Sequence, residues 1–492
     1  MSVTTESARW PSTAAPGPWI TEDWLSVWIG LAIFALALAG LGGVDLLGWA
    51  VSTSVWIDPG QALSTVSKTY AQLGGAGALA VTYLALLAVL SVSAAALNLD
   101  LKRFAIGFTV VFAFAYASWI IGSYAYVAAV TPADQQKFGI GWSLKLTNEG
   151  GYVVALLTGL IIANFFPRLA EWLKEAIRPE LYIKIAIVIL GAFLAVTAAG
   201  RLSLASSLLL RGVAAIVEAY LIYWAVVYYV ARKWFGFNRE WAAPLASGIS
   251  ICGVSAAIAV GGAIRARPTV PVVVSSLVVI FAVVEVLILP FLAQTFLWHE
   301  PMVAGAWMGL AVKTDGAAVA GGSITEALIL ARSAAEGVHY QPGWVLGVTA
   351  AVKVFIDVFI GIWAFVLGYI WTNHINPSRD RARVAEIWQR FPKFVIGFVL
   401  TFTLALLIAL AAPKEIGARL PAAIGEANTF RVIFFILTFF SIGILSNFRR
   451  LWQEGIGRLA AVYLLSLFGF VIWVGLIISW LFFGGIHPPL AS

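Results

Sequence analysis

Four charged side chains lie inside long apolar stretches of the sequence, where ionised groups are costly and usually functional: Lys313, Asp315, Lys353 and Asp357. Lys353 and Asp357 are four residues apart, so they can form an ion pair within one helix. That pair would leave no free charge for an anion, whereas an unpaired Lys353 could attract one. Asp315 follows Thr314 and opens a run of small residues. It could bind a proton or a cation, or pair with a neighbouring lysine.

Small polar residues give a second kind of candidate in residues 247–256, SGISICGVSA. This stretch is too polar for a lipid-facing helix, and no single helical face hides Ser247, Ser250, Cys252 and Ser255. Backbone leaves the helical path at membrane depth only where protein or a water-filled cavity covers it. The sequence therefore predicts an interrupted helix at this point.

A similar cluster ends the stretch TFFSIGILSNFRR, residues 438–450. Its small and polar members are Ser441, Gly443, Ser446 and Asn447. Interrupted segments at corresponding positions in two halves of a chain are typical of the central site of a transporter. We therefore expect a second interrupted helix here, facing the first.

The elements that position these residues must be membrane helices. Of the 492 residues, 61% are hydrophobic and 11% are charged, whereas a soluble globular chain has about 25% charged residues. The formal net charge of +7 indicates topology rather than a nucleic-acid partner, because the basic residues sit in short loops between apolar runs. The single cysteine excludes an internal disulfide.

Hydropathy predicts an all-α, polytopic membrane protein with about thirteen transmembrane helices. Residues 1–23 are polar and lack the apolar core of a signal peptide, so we expect a cytoplasmic tail there. The predicted spans are 24–42, 75–97, 104–130, 150–166, 181–199, 213–231, 243–260, 271–297, 302–335, 343–371, 393–412, 430–447 and 459–484.

The distribution of basic residues predicts the orientation in the cell membrane. The basic loop at 374–393 is the firmest cytoplasmic anchor, and residues 100–103 are placed on the same side. The N-terminus then lies inside the cell. Because the number of spans is odd, the C-terminus lies outside.

Grouping the spans predicts two inverted repeats of five helices. The first repeat covers 150–300 and the second 301–492, and the interrupted segment is the fourth span of each. Because five is odd, the second repeat must be inverted relative to the first. Residues 24–149 form a three-helix N-terminal extension.

The chain resembles, over most of its length, a family of membrane proteins named as sulfate exporters. The resemblance rests on 245–264 (LASGISICGVSAAIAVGGAI), 306–324 (AWMGLAVKTDGAAVAGGSI), 349–365 (TAAVKVFIDVFIGIWAF) and 439–451 (FFSIGILSNFRRL), in that order. Its most specific element is the SICG motif at 250–253. The family is similar to the cation/proton antiporter superfamily, whose members have two inverted five-helix repeats with broken helices that cross at mid-membrane. The resemblance therefore implies that fold and an anion transporter.

Interrupted helices would also suit an oxyanion chemically. Helix N-termini offer unpaired N–H groups and about half a positive charge each, glycines let an anion approach backbone, and serine hydroxyls can donate. The same small residues could instead only allow close helix packing, with Cys252 as a small buried filler. The expected substrate-binding residues are Ser250, Cys252, Gly253, Ser255, Ser441, Gly443, Ser446, Asn447 and Lys353.

Coupling to a proton or sodium ion is expected at Asp315, Asp357, Lys313 and Thr314. In shorter members of the family a histidine–glutamate pair stands where this chain has Thr314 and Asp315. Three further charged residues are interpreted as packing or interfacial partners: Lys184, Glu218 and Glu285.

Together these observations predict a secondary active transporter that exports sulfate, sulfite or a related sulfur anion by alternating access. One alternative is a cation/proton antiporter that uses Asp315 and Asp357. A non-transporting membrane receptor is another, although no loop is long enough for a soluble output module. No phosphate loop, metal-spaced His/Cys cluster or nucleophile motif occurs, so we expect no enzyme, cofactor or metal. The expected partners are the anion, membrane lipid and a coupling ion, and a homo-oligomer is left open.

Overall fold

Helices make up most of the computed structural model, which describes residues 20–129, 132–144, 150–267, 269–375, 385–448 and 457–491. Within those ranges the only sheet is a pair of short antiparallel strands, β1 (Val51–Thr53) and β2 (Leu63–Thr65). The pair lies in the connection between the first two long helices. The predicted tail at 1–23 falls almost entirely outside the described residues.

We label the long helices, and the halves of interrupted helices, in chain order. They are α1 (Glu22–Leu38), α2 (Gly74–Ala96), α3 (Leu101–Gly122), α4 (Gly150–Phe165), α5 (Pro179–Ala199), α6 (Leu202–Trp234), α7 (Arg239–Ser250), α8 (Gly253–Ala263), α9 (Thr269–Phe296), α10 (Pro301–Ala311), α11 (Asp315–Ala335), α12 (Trp344–Ile375), α13 (Phe394–Ala411), α14 (Leu420–Leu445) and α15 (Gly457–Phe483).

Short helices connect the long ones, and π turns occur within three of them. Short helices and 3₁₀ turns occupy Ala39–Gly42, Pro59–Gln61, Lys68–Leu73, Ala125–Ala128, Pro132–Lys137, Pro167–Trp172, Ala385–Arg390 and Lys414–Gly417. Wider π turns interrupt the regular α geometry of α6, α12 and α15, at Glu218–Tyr223, Val230–Trp234, Trp371–Ile375 and Leu467–Val471.

The chain is a polytopic all-α membrane protein, as its composition predicts. Ten of the described helical segments are long and apolar enough to cross a membrane, and α4, α8 and α10 are shorter apolar helices. A span of the hydrocarbon core needs about 20 residues, so α7, α8 and α10, with 12, 11 and 11 residues, are too short to cross singly, whereas α11 has 21. The number of about thirteen spans stays a prediction.

The first helix packs directly against the centre of the bundle. Gly30 of α1 faces Val188 of α5 so closely that a Cβ at Gly30 would clash with the valine side chain. Lys184 of α5 forms a 2.6 Å ion pair with Asp23 at the start of α1. Lys184 therefore has the interfacial role that the sequence suggests, and α1 is an integrated part of the helix bundle.

Helix α14 is continuous from Leu420 to Leu445, which corrects the predicted interruption at 430–447. Ser441 and Gly443 lie within its regular turns, and Ser446 caps its C-terminus. The reason is close packing on α4, where Gly159 and Gly443 face each other and let the two backbones approach. The small residues therefore serve helix packing here.

The second interruption lies instead between α10 and α11, inside the predicted span 302–335. The chain leaves the helical path at Val312–Thr314, and Thr314 caps α11 by accepting a 3.1 Å hydrogen bond from the Ala317 N–H. The first interruption, between α7 and α8, is where the sequence places it. Because the second is not in a fourth span, the pairing of interrupted segments is wrong, and the inverted repeats stay a prediction.

Candidate functional site

The two interruptions meet inside the protein. The Gly253 N–H, at the start of α8, donates a 2.6 Å hydrogen bond to the carbonyl oxygen of Lys313. The Lys313 N–H in turn donates to the Glu285 carboxylate at 3.0 Å. Backbone groups freed by the breaks thus find protein partners, which is the condition for non-helical backbone at membrane depth.

Lys353 of α12 contacts both interruptions. Its ammonium group donates to the carbonyl oxygens of Ile251 and Val312, each at 3.3 Å. These residues cap the C-termini of α7 and α10, where the helix dipole leaves about half a negative charge. One buried ammonium therefore neutralises two helix ends.

Acidic and thiol groups lie at the opposite, N-terminal ends of the same breaks. Asp315 is in the first turn of α11, and Cys252 caps α8. The Cys252 thiol donates to Asp315 Oδ1 at 2.6 Å. An anionic side chain is stabilised by the positive end of a helix dipole, and Asp315 stands at that end of α11.

The ion pair of Lys353 is with Asp315, at 3.9 Å, rather than with Asp357 on its own helix. Both carboxylate oxygens of Asp357 are buried and have no hydrogen-bond partner among the described residues. One oxygen of each carboxylate and the Cys252 sulfur all lie within 4.8 Å of one another. We call Cys252, Asp315, Lys353 and Asp357 the junction site.

The charges of the junction site suit a proton or a small cation. It holds two carboxyl groups and one ammonium, so a single additional positive charge balances it. Lys353 already supplies one counter-charge beside Asp315, and the thiol acts as a hydrogen-bond donor to that carboxylate. Because the Cys252 thiol donates a hydrogen bond, and a metal would bind it as a thiolate, the site fits a proton on Asp357 better than a metal ion bound to Cys252, Asp315 and Asp357.

The other expected residues of the first break lie at or beside the junction site. Ser250 ends α7, and its hydroxyl is buried without a hydrogen-bond partner among the described residues. Gly253 packs against Val278 and Thr314, where an added Cβ would clash, so its lack of a side chain serves packing. Ser255 is half-buried in the first turn of α8.

Four expected substrate-binding residues belong to the contact between α14 and α4 instead. Gly443 packs on Gly159, Ser446 donates to Ile442 at 2.8 Å, and Asn447 donates to the Ala163 carbonyl at 3.0 Å. The Ser441 hydroxyl is buried in α14 and has no partner in the described part of the chain. These contacts place the group mainly on the α4 side of α14, although Ile442 of the same helix packs against Gly316, the residue after Asp315.

Glu218 and Glu285, interpreted from sequence as packing residues, form a second buried group with Lys313. The Lys313 ammonium lies 4.5 Å from the centre of the Tyr223 ring and donates to the Leu310 carbonyl. Glu285 accepts a 2.9 Å hydrogen bond from the Tyr463 hydroxyl. A signal for this group is present in the sequence, because both glutamates stand alone in apolar spans.

A cavity of about 430 Å³ extends from the surface to the start of α8. Lys174 and Arg178 line it on the outside, and Val254 lines it next to the break. Asn447 lines the same cavity, so this one residue of the second predicted cluster does lie on a route toward the junction site. Lys174 donates to Glu171 at 2.7 Å, and this hydrogen bond raises the pKa of Lys174.

Comparison with known proteins shows extensive similarity. The family model described as Conserved hypothetical protein 698 matches residues 143–462, which include both breaks. A UPF0324 membrane protein of Nitrosomonas europaea is 39% identical over 475 residues, covering 96% of this chain and 97% of that protein. One of Rhodopirellula baltica is 32% identical over 311 residues, covering 61% of this chain and 51% of that protein.

An uncharacterized protein of Archaeoglobus fulgidus is 44% identical over 186 residues, which cover 33% of this chain and 97% of that protein. No solved structure matches the chain. The names of the Nitrosomonas and Rhodopirellula proteins state membrane association and no cargo. The sulfate cargo that the sequence resemblance implies therefore stays a prediction.

Proposed function

The chain belongs to the UPF0324 membrane protein family, and from that premise we propose that it is a secondary active transporter that exports a small oxyanion, such as sulfate or sulfite. The observation that carries the proposal is Lys353, whose ammonium contacts the ends of two interrupted helices and a buried carboxylate at once. Helix breaks are rare within membranes and are typical of transport sites.

In this proposal the junction site is exposed to each side of the membrane in turn. Movement of α7 and α8 relative to α10 and α11 would open and close the route, and the cavity beside Val254 supports access from one side. Cargo and coupling ion shift the balance between the two states only if they bind one state more tightly. Lys353 can provide that difference, because its contacts involve both breaks.

The charges of the junction site set the form of coupling. An oxyanion approaching two carboxylates and one ammonium meets excess negative charge, whereas protonation of Asp357 removes that excess. Anion and proton should therefore bind together and cross in the same step. An outward gradient of the anion then drives export.

The excess of carboxyl groups specifically favours a second candidate, a cation/proton antiporter. A sodium ion and a proton would compete for Asp315 and Asp357, so they would cross in opposite directions. The two candidates differ in the sign of coupling, and this difference can be measured.

We also propose a location for the protein and its partners. The site would lie in the cell membrane in contact with lipid, with the N-terminus inside and the C-terminus outside. A proton or a sodium ion would be the coupling ion. The proposal includes no catalytic step and no nucleic-acid partner.

Purified protein in liposomes provides the test. With radiolabelled sulfate or sulfite inside, we expect an acidic lumen to accelerate efflux, and we expect Asp357→Asn to abolish the effect. The matched control is Glu336→Gln, which removes a carboxylate from an exposed ion pair with Arg332. Sodium efflux accelerated by an acidic exterior, without anion flux, would replace the first candidate by the antiporter. Tight anion binding with no flux would instead indicate a receptor.

A further inference from the structure

A second buried group repeats the charge composition of the junction site. Glu218 of α6, Glu285 of α9 and Lys313 between α10 and α11 provide two carboxyl groups and one ammonium. All three are almost fully buried. Lys313 and Asp315 are two residues apart, so the break between α10 and α11 places one residue in each group.

Glu285 is held in place by two hydrogen bonds from different elements. Its Oε2 accepts the Lys313 N–H at 3.0 Å, and its Oε1 accepts the Tyr463 hydroxyl at 2.9 Å. Hydrogen bonds from N–H and O–H donors stabilise the ionised form of a carboxyl group. Glu285 is therefore the better stabilised of the two carboxylates.

Glu218 is held less firmly. It is 0% exposed, neither of its carboxylate oxygens reaches hydrogen-bond geometry with a described residue, and the Tyr223 hydroxyl is the polar group that interacts with it. Its Oε1 lies near the Tyr223 hydroxyl. A Cβ placed on Gly475 would be 2.7 Å from that hydroxyl and 3.7 Å from Oε1. That hydroxyl donates to the Val471 carbonyl at 2.8 Å, so its proton is directed away from Glu218.

An ionised carboxylate without a partner is strongly disfavoured in a buried site, and such a group normally takes up a proton. The charged and titratable groups that face Glu218 and Glu285 are Lys313, Tyr223 and Tyr463, with Lys353 beyond them. One ammonium balances one of the two carboxylates, which leaves one position for a proton. Glu218 also begins a π turn of α6, and such turns are frequent at functional sites.

We propose that Glu218, Glu285 and Lys313 form a second proton-binding site, with the proton on Glu218, that is loaded and released in the same cycle as the junction site. The segment Val312–Thr314 couples the two sites, because any movement that exposes Asp315 must also move Lys313. This inference rests on the proposed transport function. With a divalent anion such as sulfate, one proton at each site makes the cycle electroneutral.

Infrared difference spectroscopy of the purified protein, between alkaline and acidic buffer, tests the site without any transport. We expect a carbonyl band of a protonated, buried carboxyl group that Glu218→Gln removes and Glu218→Asp retains at a shifted position. Glu336→Gln, on the exposed surface, should leave the band unchanged. An unchanged band in folded Glu218→Gln protein would overturn the assignment, whatever the cargo is.

The charge balance of transport gives an independent readout. We expect sulfate flux in liposomes to be insensitive to a potassium-diffusion potential in the wild-type protein and sensitive to it in Glu218→Gln, because one proton is lost from each cycle. Equal sensitivity of both proteins would contradict a second coupled proton. If no anion is transported at all, the proposed function fails, while the infrared result still decides whether Glu218 binds a proton.

Discussion

Lys353 Nζ lies 3.9 Å from Asp315 Oδ1, although Asp357 stands four residues further along the helix of Lys353 itself. The spacing in the sequence predicts the pair within the helix, but the structure selects the partner across the break. Asp315 is preferred because the N-terminus of α11 and the Cys252 thiol also stabilise its negative charge. Asp357 instead lies beside the Asp315 carboxyl group and the Cys252 thiol, with both of its oxygens buried and outside hydrogen-bond geometry among the described residues.

Replacing Lys353 should destabilise the protein as well as inactivate it. Lys353→Met removes the donor for the Ile251 and Val312 carbonyls and leaves Asp315 buried without its counter-charge. Breaking a buried ion pair in this way costs about 3–5 kcal/mol, which should lower the thermal unfolding temperature in detergent. Lys414→Met, on the exposed surface, is the matched control. Equal unfolding temperatures for the two variants would contradict the role of Lys353 at the breaks.

The two aspartates of the junction site should respond differently to neutralisation. Asp357→Asn leaves the ion pair between Lys353 and Asp315 in place, so it should keep the unfolding temperature close to that of the wild type while abolishing proton-coupled flux. Asp315→Asn removes the ion pair with Lys353 and should reduce both. The measurement is thermal unfolding beside liposome flux for each variant. Normal coupling in Asp357→Asn would show that this carboxyl group does not exchange the coupling proton.

Much of the fold is predictable from local sequence features. Apolar runs identify the membrane helices, and the mixture of serine, glycine and cysteine at 250–253 identifies the first break. These signals are local, because a lipid-facing helix must be apolar along its own length. The charged residues of the junction site are likewise visible as isolated charges in apolar spans.

The location of the second break is not predictable in the same way. The cluster at Ser441 and Gly443 has the composition of a break but packs on Gly159 of α4, whereas Val312–Thr314 breaks with little local sign beyond Thr314. Small residues serve both close helix packing and helix interruption, so only the identity of the neighbouring helix distinguishes the two. The pairing of Lys313 with Glu285 depends on tertiary contacts in the same way.

The glycines of α14 allow a direct test of this packing interpretation. A Cβ at Gly443 would clash with the Leu156 carbonyl of α4, whereas Gly425 of the same helix has nothing within 4 Å. Gly443→Ala should therefore destabilise the protein by about 1–3 kcal/mol through overpacking, while Gly425→Ala should stabilise it by about 0.5–1 kcal/mol. Thermal unfolding of both variants checks this. Unchanged stability of Gly443→Ala together with lost flux would restore Gly443 to the substrate-binding residues.

Cys252 can report on movement at the breaks, since it is the single cysteine of the chain. Its side chain is buried and hydrogen-bonded to Asp315, so a maleimide should react with it slowly in the resting protein. If the junction site is exposed alternately to the two sides, sulfate at acidic pH should accelerate the modification, because cargo and proton together increase the interconversion of the two states. Mass spectrometry of the adduct over time provides the measurement, with Cys252→Ala as the blank. Asp357→Asn is the matched control, since it retains the thiol but should lose the acceleration by sulfate. A modification rate that is the same with and without sulfate, at every pH tested, would contradict movement at the breaks.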